Sequence, residues 1–217
     1  MKQKTLFILS GVVLLLAFVA GTLYYTSQKQ TESAQAVAGK QDNLNRAYSP
    51  TEGPEGAKVV IVDFFDPACG TCRDFYPFVK QLMAAHPGQV RVVLRHAPFH
   101  DGSVEVVKIM EAARMQGKYF ETLAALFASQ DNWVQDHRVQ PERVWAALAG
   151  VGLDLDRVRQ DMNSPEITAH IAQDMEDAKA LKVTMTPEFF VNGRPMPSFG
   201  YEQLQALVEQ AVAENYR

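Results

Sequence analysis

Cys69 and Cys72 are the only two cysteines among 217 residues, and they stand three positions apart in Asp66-Pro67-Ala68-Cys69-Gly70-Thr71-Cys72. Thiols at that spacing suit disulfide exchange: a thiolate at the first attacks a foreign sulfur, and the second, one helical turn deeper, resolves the mixed disulfide. A free cysteine with a pKa of about 8.5 is mostly protonated at neutral pH, so the first sulfur needs help to ionise. A helix that starts at Cys69 provides it, because unpaired N–H groups and the positive end of the macrodipole face that position. Gly70 and Thr71 add neither bulk nor opposing charge there.

Two other uses of the pair stand beside redox exchange. A structural disulfide would close so short a loop that it removes little chain entropy, and a domain of this size needs no staple. A metal site would need two more ligands; no second C-x-x-C exists, although His96 and His100 follow on the next strand and loop. Redox exchange is the leading reading. Asp63 lies six positions before Cys69 inside an apolar run, where a carboxylate is costly to bury. The alternative is an acid at the strand edge that points to solvent. Neither His96 nor His100 is assigned a catalytic part, and His86, His137 and His170 are expected in turns or on solvated helix faces. Met110, Met115, Phe120, Phe127, Trp133 and Trp145 read as core rather than as a substrate groove.

The elements that must hold these residues are readable in order. Lys58–Asp66 is a continuous β-branched and aromatic run, as a central strand covered on both faces requires, and Pro67 ends it. From Cys69 to about Ala85 the apolar spacing is helical, through Cys72, Phe75, Tyr76, Val79, Leu82 and Met83, with Pro77 as a kink. After a His86-Pro87-Gly88 turn, Val90–His96 forms a second strand, and strand, helix and strand of these lengths make a parallel βαβ unit.

From Ser103 to about Val183 the pattern is helical. Ser103 is placed to cap a helix reaching Gly117, Tyr119 to Ala128 forms another, Pro141 opens a third, a fourth follows Asp154, and Ser164-Pro165 starts a fifth that reaches about Leu181. Asn192-Gly193 then favours a type I′ hairpin between Glu188–Val191 and Arg194–Met196, and Tyr201 to Glu214 closes the chain as an amphipathic helix.

Upstream, Thr5–Tyr25 carries no charge over about 21 residues, enough to cross ~30 Å of hydrocarbon. Lys2 and Lys4 precede it and place residues 1–4 in the cytoplasm and the rest outside. A cleaved signal peptide is the competing reading, but its apolar region is shorter, and Ala34-Gln35-Ala36 lies far past the end of this one. Residues 26–56 read as a polar tether, with a short strand at Ala47-Tyr48 near its end, and residues 57–217 as the exported domain. An exported chain with two cysteines is not a disulfide-stapled scaffold. The chain is 47% hydrophobic and 21% charged with a net charge of −4, so it lacks the clustered Lys and Arg that nucleic acid demands.

The order β, α, β, helical block, β, β, α, with C-x-x-C after the first strand, resembles the DsbA-like family of thiol-disulfide oxidoreductases across Ala57–Tyr216. The resemblance implies an α/β, thioredoxin-like fold with an inserted helical subdomain at about 103–183, preceded here by a transmembrane anchor. It implies that Cys69 and Cys72 form a redox-active disulfide. It also implies that Asp63 is a buried acid moving protons to and from the inner thiol, that Pro187 is a cis-proline lying against the pair, and that Thr186 presents free backbone to an extended substrate. Pro77 matches the kink proline of the active-site helix.

No cofactor and no metal are implied. The partners implied are exported cysteine-containing proteins and a membrane or periplasmic redox partner, met by a catalytic domain in the periplasm. Gly70-Thr71 departs from the Pro-His of DsbA, and Thr186 is shared with thioredoxins and isomerases, which favours a reductase or isomerase over an oxidase. From another class, the alternative is a thiol-based metal carrier or a holdase that uses the helical insertion.

Overall fold

Val59–Phe65 forms β2, the central strand of a five-stranded sheet ordered β1-β3-β2-β6-β7 in a computed structural model that describes residues 20–21 and 41–216. The expected cytoplasmic tail, the small-residue site at Ala34-Gln35-Ala36 and, apart from Ala20 and Gly21, the expected membrane-crossing run lie outside the described residues. Among the described residues no helix is long and apolar enough to cross a membrane.

β3 (Val90–His96) runs parallel to β2, and β6 (Glu188–Val191) runs antiparallel on its other side. Register places Asp63 opposite Leu94 and Phe189, and Phe65 opposite His96. Because side chains alternate along a strand, Asp63, Phe65, Leu94 and His96 share one face while Phe64 and Arg95 share the other. Helix α2 (Gly70–Ala85) covers the Asp63 face, with Phe75 packed on Phe189, and the C-terminal helix α9 (Tyr201–Asn215) joins it, stacking Tyr201 on Phe75. The hairpin turn is as expected: Asn192 and Gly193 both have positive φ. Asn192 also accepts from the Val60 N–H and donates to the Lys58 carbonyl, pinning the turn to β2.

The edges of the sheet are short. β1 (Thr51–Glu52) pairs antiparallel with β3, and β7 (Arg194–Pro195) pairs with β6. β1 lies three residues beyond the Ala47-Tyr48 position at which a strand is expected. Residues 41–56, read from sequence as the end of a tether, instead belong to the folded body. Gln41–Leu44 is a short helix, α1, with Leu44 buried. Arg46 donates to Asp177, and the Tyr48 hydroxyl donates to Asp174. Polar side chains whose partners lie far along the chain leave no apolar periodicity to read.

The insertion comprises α3 (Ser103–Met115), α4 (Tyr119–Ala128), α5 (Gln130–Trp133), the hairpin β4 (Val134–Gln135) and β5 (Arg138–Val139), α6 (Pro141–Ala147), α7 (Leu155–Asp161) and α8 (Pro165–Ala180). Asp154 and Ser164 cap their helices as expected. Ser103 does not: the N-cap of α3 is Gly102, at φ 84, and the Ser103 hydroxyl turns to Asp66. A side chain at Gly102 would meet Val139 of β5 at 2.8 Å, so glycine is required there twice over. Met110, Phe127 and Trp133 are buried and Phe120 and Trp145 partly so, but Met115 is exposed. His170, expected in solvent, stacks on Tyr48 with ring centroids 3.9 Å apart.

A buried charge cluster joins the insertion to the sheet. Arg95 donates to Asp174 and Asp177 of α8, and Asp174 also accepts from the N–H of His96. Burial opposes ionisation of Asp174, yet its hydrogen bonds to His96 and the charge of Arg95 hold the carboxyl down at about 2.

Candidate active site

Cys69 is the N-cap of α2, in extended backbone just before the first helical turn. The helix therefore begins one residue later than the sequence suggests, and the sulfur of Cys69 takes the place of a capping oxygen: it accepts from the Cys72 N–H at 3.4 Å. Both cysteines are free thiols and both are buried, Cys69 at 6% exposure. The Cys69 sulfur also lies 3.3 Å from the carbonyl oxygen of Thr186, and the Thr186-Pro187 peptide bond is cis.

These contacts split the two thiols. Cys69 is held down at about 5, chiefly by hydrogen bonding from the Cys72 side chain, with Thr186 and the N–H groups of Cys72 and Thr71 adding, all against the opposing effect of burial. Cys72 goes the other way. Burial first, then the Cys69 sulfur and the charge of Asp63, push its thiol well above the ordinary range. An ionised outer sulfur beside a protonated inner one is the state from which the outer sulfur can attack and the inner one can follow.

Asp63 points inward, not to solvent, so the strand-edge alternative is set aside. Its exposure is 8%, and no described residue donates to its Oδ1. Burial, then the negative charge on Cys69, raise its carboxyl well above the usual carboxylate range. A carboxyl that keeps its proton near Cys72 is able to trade that proton with the inner sulfur.

Sequence reasoning missed the residues that hold the turn between β2 and α2. Asp66 is fully buried and accepts from the Ala68 N–H and the Ser103 hydroxyl at Oδ1, and from the His100 N–H at Oδ2, where the His100 ring Nδ1 also sits at 2.8 Å. Its own N–H is directed at the Cys72 sulfur, 3.5 Å away. From the insertion, Gln130 Nε2 donates to the carbonyls of Pro67 and Cys69 at 2.8 and 3.1 Å. The neighbouring Asp131 pairs with Arg73 at 2.6 Å. Asp-Pro before a C-x-x-C is a turn signal that could have drawn attention to Asp66; no local signal marks Gln130.

His96 is engaged by Asp174 and the Tyr119 hydroxyl, and His100 by Asp66, so neither ring is committed to the cysteines. Among the described residues no group of three or more His, Cys, Asp or Glu is arranged to hold a metal ion. Beside the site, Met185 precedes Thr186 and is exposed, as are Phe199 and Tyr201, whose rings lie against Phe75.

A family model described as Thioredoxin matches residues 45–210. Among solved structures, the chain is similar to a thioredoxin-like oxidoreductase from Silicibacter pomeroyi DSS-3, with 36% identity and a TM-score of 0.69 over 80% of this chain and 98% of that one. It shares its fold with the thiol-disulfide exchange protein α-DsbA2 from Wolbachia pipientis, with 20% identity and a TM-score of 0.71 over 84% of this chain and 97% of that one. A Na(+)/H(+) antiporter NhaA from Herminiimonas arsenicoxydans is 31% identical over 142 residues, 65% of this chain but 22% of the antiporter, so the chain spans about a fifth of that curated relative.

Proposed function

The chain belongs to the thioredoxin family, and from that premise we propose that Cys69 and Cys72 are the redox pair through which it exchanges disulfides with exported, cysteine-containing proteins. It is a thiol-disulfide oxidoreductase. The observation that carries the assignment of the pair is geometric: the Cys69 sulfur caps the helix, accepting from the Cys72 N–H at 3.4 Å and lying 3.3 Å from the Thr186 carbonyl, while Cys72 is buried behind it, which pulls the first thiol down and pushes the second up.

In the reducing direction the Cys69 thiolate attacks a client disulfide, and one client sulfur leaves as thiolate and takes a proton. Cys72 then passes its proton to Asp63, which has first released its own to solvent, and attacks Cys69 Sγ; the Cys69–client bond breaks, the Cys69–Cys72 disulfide forms, and the second client sulfur departs. The pair loses two electrons and the client gains them. In the oxidising direction a client thiolate attacks Cys69 Sγ, Cys72 leaves as thiolate and takes a proton from Asp63; the client's second thiolate then attacks its own sulfur in the mixed disulfide, the client disulfide forms, and Cys69 leaves as thiolate. Thr186 borders Cys69, and with Pro187 after its cis bond it supplies the backbone against which an extended client lies.

Thiolate stabilisation bears on direction more directly than the Gly70-Thr71 dipeptide does. A Cys69 held at about 5 favours the reduced pair and makes its disulfide the stronger oxidant, so oxidation or shuffling of client thiols is the favoured direction. A membrane or periplasmic redox partner would then restore the disulfide. The catalytic domain works outside the cytoplasm, held to the inner membrane by Thr5–Tyr25, where disulfides persist.

The equilibrium potential against glutathione tests direction. A value near about −270 mV would make the protein a reductase, and one at about −180 mV or higher an oxidase or isomerase. Alkylation of Cys69 should abolish turnover in peptide oxidation and insulin reduction alike. Stoichiometric metal held by the pair without turnover would overturn the assignment in favour of a metal carrier.

A further inference from the structure

We propose that Asp66 is the positioning residue of the resolving half-reaction: its buried carboxylate, held by Ala68, His100 and Ser103, fixes the turn that aims the Asp66 N–H at the sulfur of Cys72. The inference rests on the redox assignment of the pair and adds a part for a residue outside the C-x-x-C.

Cys72 carries negative charge once in each direction, either when it attacks Cys69 Sγ or when it leaves it. The helix N-terminus does little for that charge, because the N–H groups of Thr71 and Cys72 serve the outer sulfur. The titratable groups facing Cys72 are the Cys69 sulfur and Asp63 on β2, and each opposes its ionisation whenever it carries charge. The Asp66 N–H, 3.5 Å from the inner sulfur, is the backbone group placed to offset them.

The direction of that N–H is imposed. Asp66 follows the last residue of β2, and its carbonyl accepts from the Cys69 N–H at 3.0 Å while its Oδ1 accepts from Ala68 at 2.8 Å, so the turn is closed by both main chain and side chain. Oδ2 reaches across to the loop after β3, where His100 approaches with its N–H and its ring nitrogen, both at 2.8 Å. Ser103, the first residue of α3, completes the set at 2.6 Å. Two loops bordering the redox pair are thereby locked together through one side chain.

The chemistry of the set calls for a carboxylate. A backbone N–H of Ala68, a backbone N–H of His100 and the Ser103 hydroxyl all donate, and only a group with no donor of its own can accept them all. Closing the turn alone would need just one acceptor, which Asn or Ser would provide. A fully buried side chain that accepts from two loops at once exceeds what a turn needs and suits the fixing of a dipole at a reacting atom.

The test separates the two half-reactions in the full chain. A fluorescent peptide with one disulfide forms a mixed disulfide with Cys69, in which one S–S bond breaks and another forms, and Cys72 then resolves it. Asp66→Asn should leave the rate of formation within about twofold, slow resolution about tenfold, and move the pH midpoint of resolution upward. His100→Ala and Ser103→Ala, each removing one anchor, should slow resolution by smaller factors with the same pH displacement. Equal slowing of both steps with an unmoved pH midpoint would reduce Asp66 to a structural residue. Should Asp66→Asn fail to fold, wild-type resolution in both single-anchor variants overturns the proposal. If the wild type forms no mixed disulfide at Cys69, the redox assignment falls and takes this inference with it; if all three variants resolve normally, only the part given to Asp66 falls.

Discussion

The sulfur of Cys69 lies 3.3 Å from the carbonyl oxygen of Thr186, 117 positions further along the chain. While the thiol keeps its proton, its S–H donates to that carbonyl. Once it ionises, the carbonyl has nothing to accept from the sulfur, which rests instead on the Cys72 N–H. Ionisation of Cys69 therefore also frees a main-chain acceptor beside it.

The potential of the pair should change slope with pH at about 5, where Cys69 ionises. Below that midpoint, reduction takes up two protons with two electrons, and the potential falls by about 59 mV per pH unit; above it, with only Cys72 protonated, by about 30 mV. Equilibration with glutathione between pH 4 and 8 checks this, and a single slope throughout would place the Cys69 thiolate elsewhere.

Asp63→Asn should slow the step through Cys72 more than the first attack at Cys69. It should also flatten stability against pH. The folded carboxyl is raised above its ordinary value, so the native state keeps a proton that the unfolded chain loses, and its stability falls as pH climbs from about 4 toward the raised pKa. Urea denaturation of the reduced protein should show wild type losing stability relative to the variant as pH rises from about 4 to about 8. Equal slowing of both half-reactions would remove Asp63 from the mechanism.

Gln130→Leu takes away the donors to the Pro67 and Cys69 carbonyls and leaves both oxygens buried. The Cys69 carbonyl still accepts from the Arg73 N–H at 3.2 Å, so a loss of about 1–3 kcal/mol follows from the Pro67 carbonyl alone. With the turn loosened, the ultraviolet absorbance of the Cys69 thiolate should titrate at higher pH than in wild type. An unchanged midpoint would confine Gln130 to a structural part.

Asp174→Asn breaks one of the two buried pairs of Arg95, which keeps Asp177, and should cost about 1.5–3 kcal/mol in thermal or urea denaturation at pH 7. The sign of the acid dependence is fixed by the lowered pKa. A carboxyl at about 2 in the fold, against about 3.9 when unfolded, contributes stability that is complete above about pH 5 and is lost as pH falls through 2. The variant should lose that share of the acid limb.

What could be read ahead of the structure was local. The strand before the cysteines, the helix after them and the Asn192-Gly193 turn each carry their signal within a few residues, as spacing, β-branching or a residue suited to positive φ. Cys69, Cys72 and Thr186 do meet in space. The residues that hold them there escaped notice because a buried polar side chain looks like a solvated one until its partner is known. Gln130 reaches the carbonyl of a residue 61 positions away, and Arg95 reaches an acid 79 positions away. The same holds for Arg46 and Tyr48, whose polar surroundings read as tether although their partners lie on α8.

The sheet ends at both sides in strands of two residues, and one of them contains Pro195, which has no N–H to offer. An open sheet edge is a template to which any extended chain can add a strand. The margins of this sheet give such a chain almost nothing to extend. Among the described residues, the outermost strands therefore offer another chain no more than two residues each to pair with.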